Sequence, residues 1–535
     1  MEKPARLLRA AGWAFALAAG LIGGALGACR ADTRAQRRKA GEVIISIGAA
    51  PKTLDPGLSQ DINSTRAIMN FIRGLTVLDA RGFPQPDIAE SWSVSPDGRL
   101  YDFRLRVTSW SNGEPVTAED FVHAWLDRQL NPDFGSEYSY MLFYIEGAQA
   151  YYERRGPREA VGVEAVHPLH LRVRLVAPAP FFPQLTAHHT YFPVSSAADR
   201  AHPGWALRPE TYVGNGPFRL TAYHPNDFLE GVRREDYWDS ANVAMRRLRF
   251  LFIEEETTER IAFDNGEIDG TYLAPRADIP QLRGSPALRI AEQIGTYYIN
   301  INMKLPVFAD RRVRQALNLA IDRQAIVANV TRADERPAYG IVPPLLYGEL
   351  PPRRFVEDGR FEEARRLMAE AGYPGGRGFP RLRYLYNTLE MHRAIAQVLQ
   401  ESWKRELGIE ITPENQEFRV VIENRNQGRF DLARNGWVAD FADPINFLDL
   451  FLSTSGNNNT QWSDPEFDRL VEASRREADP ARRLEILRRA EAYFMDQLVI
   501  IPIFHYTHPY LSAPDLEGYD LSPMGTIDVR RLRWK

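Results

Sequence analysis

The sequence predicts a multi-domain α/β protein with a ligand held between lobes. Three observations point that way. The chain has 535 residues, more than one hydrophobic core organises, so about two to four domains are expected. Strand-like apolar runs alternate with amphipathic helical patterns along it. After Gly41 there is no repeat, low-complexity tract or long linker, so the domains must be interwoven.

The first element is a leader. Lys3, Arg6 and Arg9 precede a charge-free apolar stretch from Ala10 to Leu26, the plan of a signal peptide over residues 1–28. The stretch is rich in Gly and Ala and falls short of the roughly 20 strongly apolar residues of a stable membrane span. Leu26-Gly27-Ala28-Cys29 resembles the bacterial lipobox, whose cysteine is lipidated and becomes the mature first residue. Cys29 is the only cysteine, so the exported body has no internal disulfide and relies on size and packing. Losing Glu2, Lys3, Arg6 and Arg9 with the leader moves the formal net charge from −4 to about −6, which argues against nucleic acid as a partner. Residues 29–42 carry Arg34, Arg37, Arg38 and Lys39 among small and polar residues. They read as a short, flexible, lipid-anchored linker beside anionic headgroups.

The body follows in order. Val43-Ile44-Ile45-Ser46-Ile47 has strand length and composition. Tyr101, Phe103, Leu105 and Val107 alternate with polar residues, as in a half-buried strand that ends at the turn Ser111-Asn112-Gly113. Thr117 with Asp120 three residues on starts a helix carrying Phe121 and Trp125 on one face. Glu254-Glu255-Glu256 reads as a solvated helix N-terminus. Val313, Ala316, Leu317, Ala320 and Ile321 trace an amphipathic helix. Leu484, Leu487, Ala490, Tyr493 and Phe494 trace another, followed by a strand at Val499–Phe504.

The chain contains no GxSxG elbow, HExxH, Walker A loop, CxxC pair, or GxGxxG after a strand. The pairs His188-His189 and His505 with His508 lack convincing metal spacing and read as surface or satisfied interior residues. No catalytic residue, cofactor or metal is expected.

One stretch carries chemistry: Phe430-Asp431-Leu432-Ala433-Arg434-Asn435-Gly436-Trp437-Val438-Ala439-Asp440-Phe441-Ala442-Asp443-Pro444. A strand entry meets Gly436 and Trp437, with Arg434 on one side and Asp440 on the other. A short zwitterionic peptide needs an anion, a cation and apolar walls, all present here. A structural ion pair beside a core tryptophan reads equally well from these residues alone.

Leu54-Asp55-Pro56, Ala89-Glu90-Ser91-Trp92, Trp110 to Phe121, Gly214-Asn215-Gly216-Pro217-Phe218, Arg312 to Leu317 and the Trp437 to Pro444 block, together with the lipobox, follow one another in order. Across nearly the whole mature chain this resembles the oligopeptide-binding lipoproteins of ABC importers. The resemblance implies a periplasmic-binding-protein-like type II α/β fold, with two ligand-binding lobes joined by a hinge and an extra small domain. Lobe I would comprise residues 43–73, 198–298 and 508–535, the insertion domain 74–197 and lobe III 299–507. It implies a monomeric binding protein rather than an enzyme, anchored in the periplasm or at the cell surface, passing short peptides to permease subunits. The peptide would lie extended, bound as an added strand.

By that resemblance Asp440 holds the ligand ammonium, while Arg434 and His392 meet carboxylates of peptides of different length. Trp437 and Phe418 would line side-chain pockets, and Tyr138, Tyr506, Arg425, Gly436 and Ile62 would stand at the cleft. Two positions depart from the family pattern. Thr331 followed by Arg332 stands where a lysine is common, and Gly295 and Val438 stand where a cysteine pair is. The rival readings are a receptor of the same fold for murein peptides, oligosaccharides or metal complexes, and a surface lipoprotein peptidase.

Overall fold

The computed structural model describes residues 34–79 and 82–535; Cys29 and the leader lie outside the described residues. The principal strands are β1 (Glu42–Ser46), β2 (Ala89–Val94), β3 (Leu100–Leu105), β4 (Val163–His167), β5 (His170–Arg174), β6 (Phe218–His224) and β7 (Phe228–Arg233). They continue with β8 (Arg247–Leu251), β9 (Leu288–Ile301), β10 (Arg336–Pro337), β11 (Leu382–Asn387), β12 (Ile411–Gln416), β13 (Leu432–Val438) and β14 (Ile500–Leu511).

They form three larger sheets. The first has the order β1-β8-β7-β6, with β1 parallel to β8 and Val43 opposite Leu248. The second, β2-β3-β5-β4, is antiparallel. The third has six strands in the order β10-β14-β9-β13-β11-β12. The fold is mixed α/β, with helices packed on the sheets.

Period-two alternation sorts the side chains of β9 onto two cores. Tyr297, Ile299 and Ile301 join one core with Leu317, Trp403 and Phe504. Ile294 and Tyr298 join a larger one that runs from the first two sheets into Phe441, Phe447, Phe467 and Phe494. Phe181, which follows β5 in the chain, stacks on Phe441 at 5.0 Å, a contact between the region of the second sheet and the segment after β13.

β9 and β14 form one long antiparallel ribbon, from Leu288 opposite Leu511 to Asn300 opposite Ile500. Its register shifts between Glu292 and Thr296, and an extra residue at such a point bends a ribbon.

Most expected elements form. Thr117 and Asp120 make a capping box, and Phe121 meets Trp125 edge-on at 6.1 Å. Glu255 caps the helix Glu256–Asp264 by accepting from Thr258 N. Val313, Ala316 and Leu317 are buried in the helix Arg311–Leu319. Val107 departs from expectation: β3 ends at Leu105, so Val107 leaves the alternation and is 84% exposed.

The linker reading needs a larger correction. Residues 34–40 are helical and clamped to the body rather than flexible. Arg34 and Arg37 reach the fully buried carboxylate of Asp269 at 3.2 and 2.8 Å, which also accepts from Ile44 N at 2.9 Å. Arg34 adds a bond to the Ile268 carbonyl at 2.6 Å. Charge-assisted bonds to a buried acid outweigh the freedom of a seven-residue arm.

Candidate functional site

β13 pairs with β9 along its length, from Leu432 opposite Ile301 to Val438 opposite Gly295. It pairs with β11 only at Leu432 and Ala433. From Arg434 onward no strand pairs with its outer edge. Ala439 N donates to the Ile294 carbonyl at 2.8 Å, so alternation turns the amides and carbonyls of Val438, Gly436 and Arg434 outward. Arg425 donates to the Arg434 carbonyl at 3.3 Å, and Gly436 N–H donates to Asn435 Oδ1 at 2.9 Å.

Gly436 is required sterically. A Cβ there would lie 2.2 Å from the Tyr506 hydroxyl, and one at Gly295 2.7 Å from Tyr506 Cδ2. The two glycines make room for the Tyr506 ring across the strands. That hydroxyl accepts from Arg434 Nη2 at 3.1 Å, while Arg434 Nη1 donates to Asn387 Oδ1 at 3.3 Å. The guanidinium lies 5.1 Å from the Tyr297 ring centre, and its Nε is buried without a partner.

His392, in the helix Glu390–Leu407, is buried 5.5 Å from the Tyr297 ring, with Nδ1 unpartnered. Burial, then the Arg434 charge, pushes its pKa down to about 3, so near neutral pH its ring is uncharged. Arg425 approaches from the last turn of the helix Phe418–Asn426 and donates to Asn435 Oδ1. Burial and neighbouring Arg434 lower its pKa to about 10. Among the described residues neither arginine forms an ion pair, so the ion pair that the sequence left open between Arg434 and Asp440 does not form. Two crowded cations without a counter-charge make a receptor for an anion.

Asp440 lies beyond the end of β13. Asn446 Oδ1 accepts both Asp440 N–H at 3.2 Å and the Trp437 indole N–H at 2.8 Å, fixing carboxylate and ring in one frame. Burial pushes the Asp440 carboxyl up to about 6 against the opposing Asn446 hydrogen bond. No cation pairs with it among the described residues. It lines a cavity of about 330 Å³ on one side and one of about 60 Å³ on the other. Tyr138 stacks on Tyr140 at 5.7 Å; burial, then the charges of Asp440 and Asp61, push its pKa up to about 12. Asp61 caps the helix Ile62–Ile68, so Ile62 stands at its first position, and Thr65 of that helix lines the smaller cavity.

The structure thus gathers Asp440, Trp437 and Tyr138 at one end of the open edge, and Arg434, Gly436, Tyr506, His392 and Arg425 at the other. Phe418 is not gathered: it is 49% exposed, two helical turns before Arg425. Thr331 donates to the buried carboxylate of Glu335 at 2.7 Å. The paired histidines are interior: His189 bonds the Ser59 carbonyl at 3.1 Å and His508 that of Tyr272 at 2.6 Å. Sequence reasoning missed Asn446, Tyr297 and Asn387. Asn446 stands six residues past Asp440 at a helix start, and that is the only signal it gives.

A family model described as bacterial extracellular solute-binding proteins, family 5, matches residues 84–459. The chain belongs to this family. The oligopeptide-binding protein OppA of Bacillus subtilis is 34% identical over 503 residues, 92% of each chain. Among solved structures, the murein tripeptide-binding protein MppA in its unliganded open form matches with a TM-score of 0.82 at 31% identity, over 92% of this chain and 97% of that one. OppA of Haemophilus influenzae in complex with the peptide RPPGFSPFR matches with a TM-score of 0.73 at 31% identity, over 92% and 99%. The family's members are binding proteins. Gly295 and Val438 face each other across β9 and β13.

Proposed function

We propose that this family 5 protein captures short peptides in extended form between its lobes and delivers them to the permease of an ABC importer. One observation carries the reading: an open strand edge lies between an unpaired carboxylate, Asp440, and an unpaired guanidinium, Arg434. Backbone groups on the edge bind any peptide as an added strand, and the two charges take its termini. From Arg434 to Val438 the edge spans about 13 Å at about 3.3 Å per residue, the length of roughly four extended residues. Desolvating those charges is worthwhile only when the lobes shut out water. Bending of the β9–β14 ribbon at its register shift supplies the hinge, and the closed state is what the permease recognises. Cys29 carries the lipid that tethers the monomer near that partner, raising its effective concentration.

The test is incubation of the purified protein with a mixed peptide library, followed by mass spectrometry of the bound and free pools. Intact short peptides in the bound pool support the reading. Shortened peptides in the free pool would identify a peptidase, and retention of sugars or metal complexes alone would identify another receptor of the same fold.

A further inference from the structure

Away from the peptide site, a second group of charges spans the hinge. Arg276 and Arg283 flank a short segment whose Ile279 and Leu282 are buried with Phe263 and Leu511, against Ile44 of β1 and Leu251 of β8. Facing them is the segment Thr331–Arg336, which leads into β10 and follows Ile326, a residue buried in the core of the third sheet. Contacts between the two segments therefore join the lobe of the first sheet to the lobe of the third without passing along the β9–β14 ribbon.

Three ion pairs make that connection. Arg276 pairs with the fully buried carboxylate of Glu335 and donates to the Thr331 carbonyl at 3.2 Å. Arg283 pairs with Asp334 at 2.8 Å and donates to the Arg332 carbonyl at 3.1 Å. Arg336 pairs with Glu292 of β9. The backbone bends to present these groups: Arg332 and Asp334 hold φ of +59° and +58°, a left-handed conformation disfavoured for residues with a Cβ. Glu335 fixes the bend from inside, accepting from Thr331 Oγ1 at 2.7 Å and from Ala333 N at 3.0 Å. Strained backbone that its surroundings hold in place recurs at clamps and switches.

Position relative to the hinge decides what the contacts do. Thr507 Oγ1 donates to the Ala333 carbonyl at 2.6 Å, and Thr507 stands opposite Glu292, where the register of the ribbon begins to shift. β10 lies on the β14 flank of the ribbon, whereas β13 and the peptide site lie on the β9 flank. A bend that swings the lobe of the first sheet toward β13 therefore draws Arg276 and Arg283 away from their partners.

We infer that Arg276, Arg283 and Glu292, with the segment Thr331–Arg336, form an ionic strap that holds the cleft open and loosens as the cleft closes on a peptide. The inference rests on the peptide reading above and adds a brake to it. Part of the binding free energy goes into releasing the strap, so apparent affinity falls below that of the closed site and reopening is favoured.

The experiment is calorimetric titration of the full mature chain with tetra-alanine, for the unmodified protein, Arg283→Gln and Glu292→Gln. Both side chains are about half exposed and stand outside the peptide site. Each substitution is expected to tighten binding about threefold to fivefold, the effect of one exposed ion pair. In about 0.5 M salt, which screens such pairs, the affinity of the unmodified protein is expected to approach that of the variants. Hydrogen exchange of the Thr331–Arg336 amides is expected to quicken when the unmodified protein is saturated with peptide. Unchanged or weaker binding in both variants would overturn the strap while leaving peptide capture intact, and so would exchange that slows or stays constant. Binding by none of the three proteins would overturn the peptide reading itself.

Discussion

Asp440→Asn separates two roles of one buried carboxylate. Burial raises its pKa from 3.8 to about 6, which at about 1.4 kcal/mol per unit costs the unliganded protein roughly 3 kcal/mol when the group is ionised. The sign follows from linkage: a carboxyl raised in the folded state is favourable when protonated, and that advantage disappears as pH rises from about 4 through about 6. Near neutral pH the neutral asparagine escapes the penalty, so the unliganded variant is expected to be more stable by up to about 3 kcal/mol in urea unfolding. Peptide affinity moves the other way. Removing one partner of a buried charge pair costs on the order of 2–5 kcal/mol, which centres on a loss of roughly three hundredfold. Calorimetry with a free-amino tetrapeptide measures it, and the N-acetylated peptide is the control. The acetylated form, lacking the ammonium, is expected to bind both proteins equally weakly. Unchanged affinity of Asp440→Asn for the free-amino peptide would refute the assignment.

Peptide affinity is expected to fall as pH drops through about 6, approaching tenfold per pH unit, because Asp440 must then lose a proton to hold the ammonium. His392, at about 3, does not titrate in that window, so calorimetry across it reads Asp440. Gly436→Ala places a methyl 2.2 Å from the Tyr506 hydroxyl; displacing that ring is expected to cost about 1–3 kcal/mol of stability and to weaken peptide binding through Arg434. Asp269→Ala strands Arg34, Arg37 and the Ile44 amide, and a loss of about 3 kcal/mol in denaturant titration is expected. Its amino-terminal arm should become accessible to limited proteolysis well below the global unfolding midpoint.

Local pattern made the individual elements legible. Tyr101, Phe103 and Leu105 alternate because one face of β3 is buried, and Thr117 with Asp120 marks a helix start because its first amides need acceptors. Val107 continued the alternation but not the strand, since nothing in the sequence marks where pairing with β5 ends. The six-stranded order was not legible: β9 and β14 are adjacent although Leu288 and Leu511 lie far apart in the chain. The same distance hid the clamp on the amino-terminal arm, because Arg34 finds its acid 235 residues away. Basic residues among small ones look like a solvated tether until that partner is in place.

At the site, Asp440, Arg434, Gly436 and Trp437 were legible because one short segment carries them. Their separation into two unpaired charges was not, since spacing alone also allows an ion pair. The supporting residues Asn446, Asn387 and Tyr297 were missed. They act by orienting other side chains, and an asparagine or tyrosine in that role leaves no pattern. Phe418, which resemblance places at the cleft, stands 49% exposed at the first position of the helix Phe418–Asn426.

Native mass spectrometry of the protein purified without added ligand tests the central claim most directly. The account predicts a bound population with the mass of short, intact peptides, released on acidification through about pH 6, as Asp440 takes up its proton. A retained ligand that fragments as something other than a peptide, or a protein that neither retains nor takes up peptides, would contradict it.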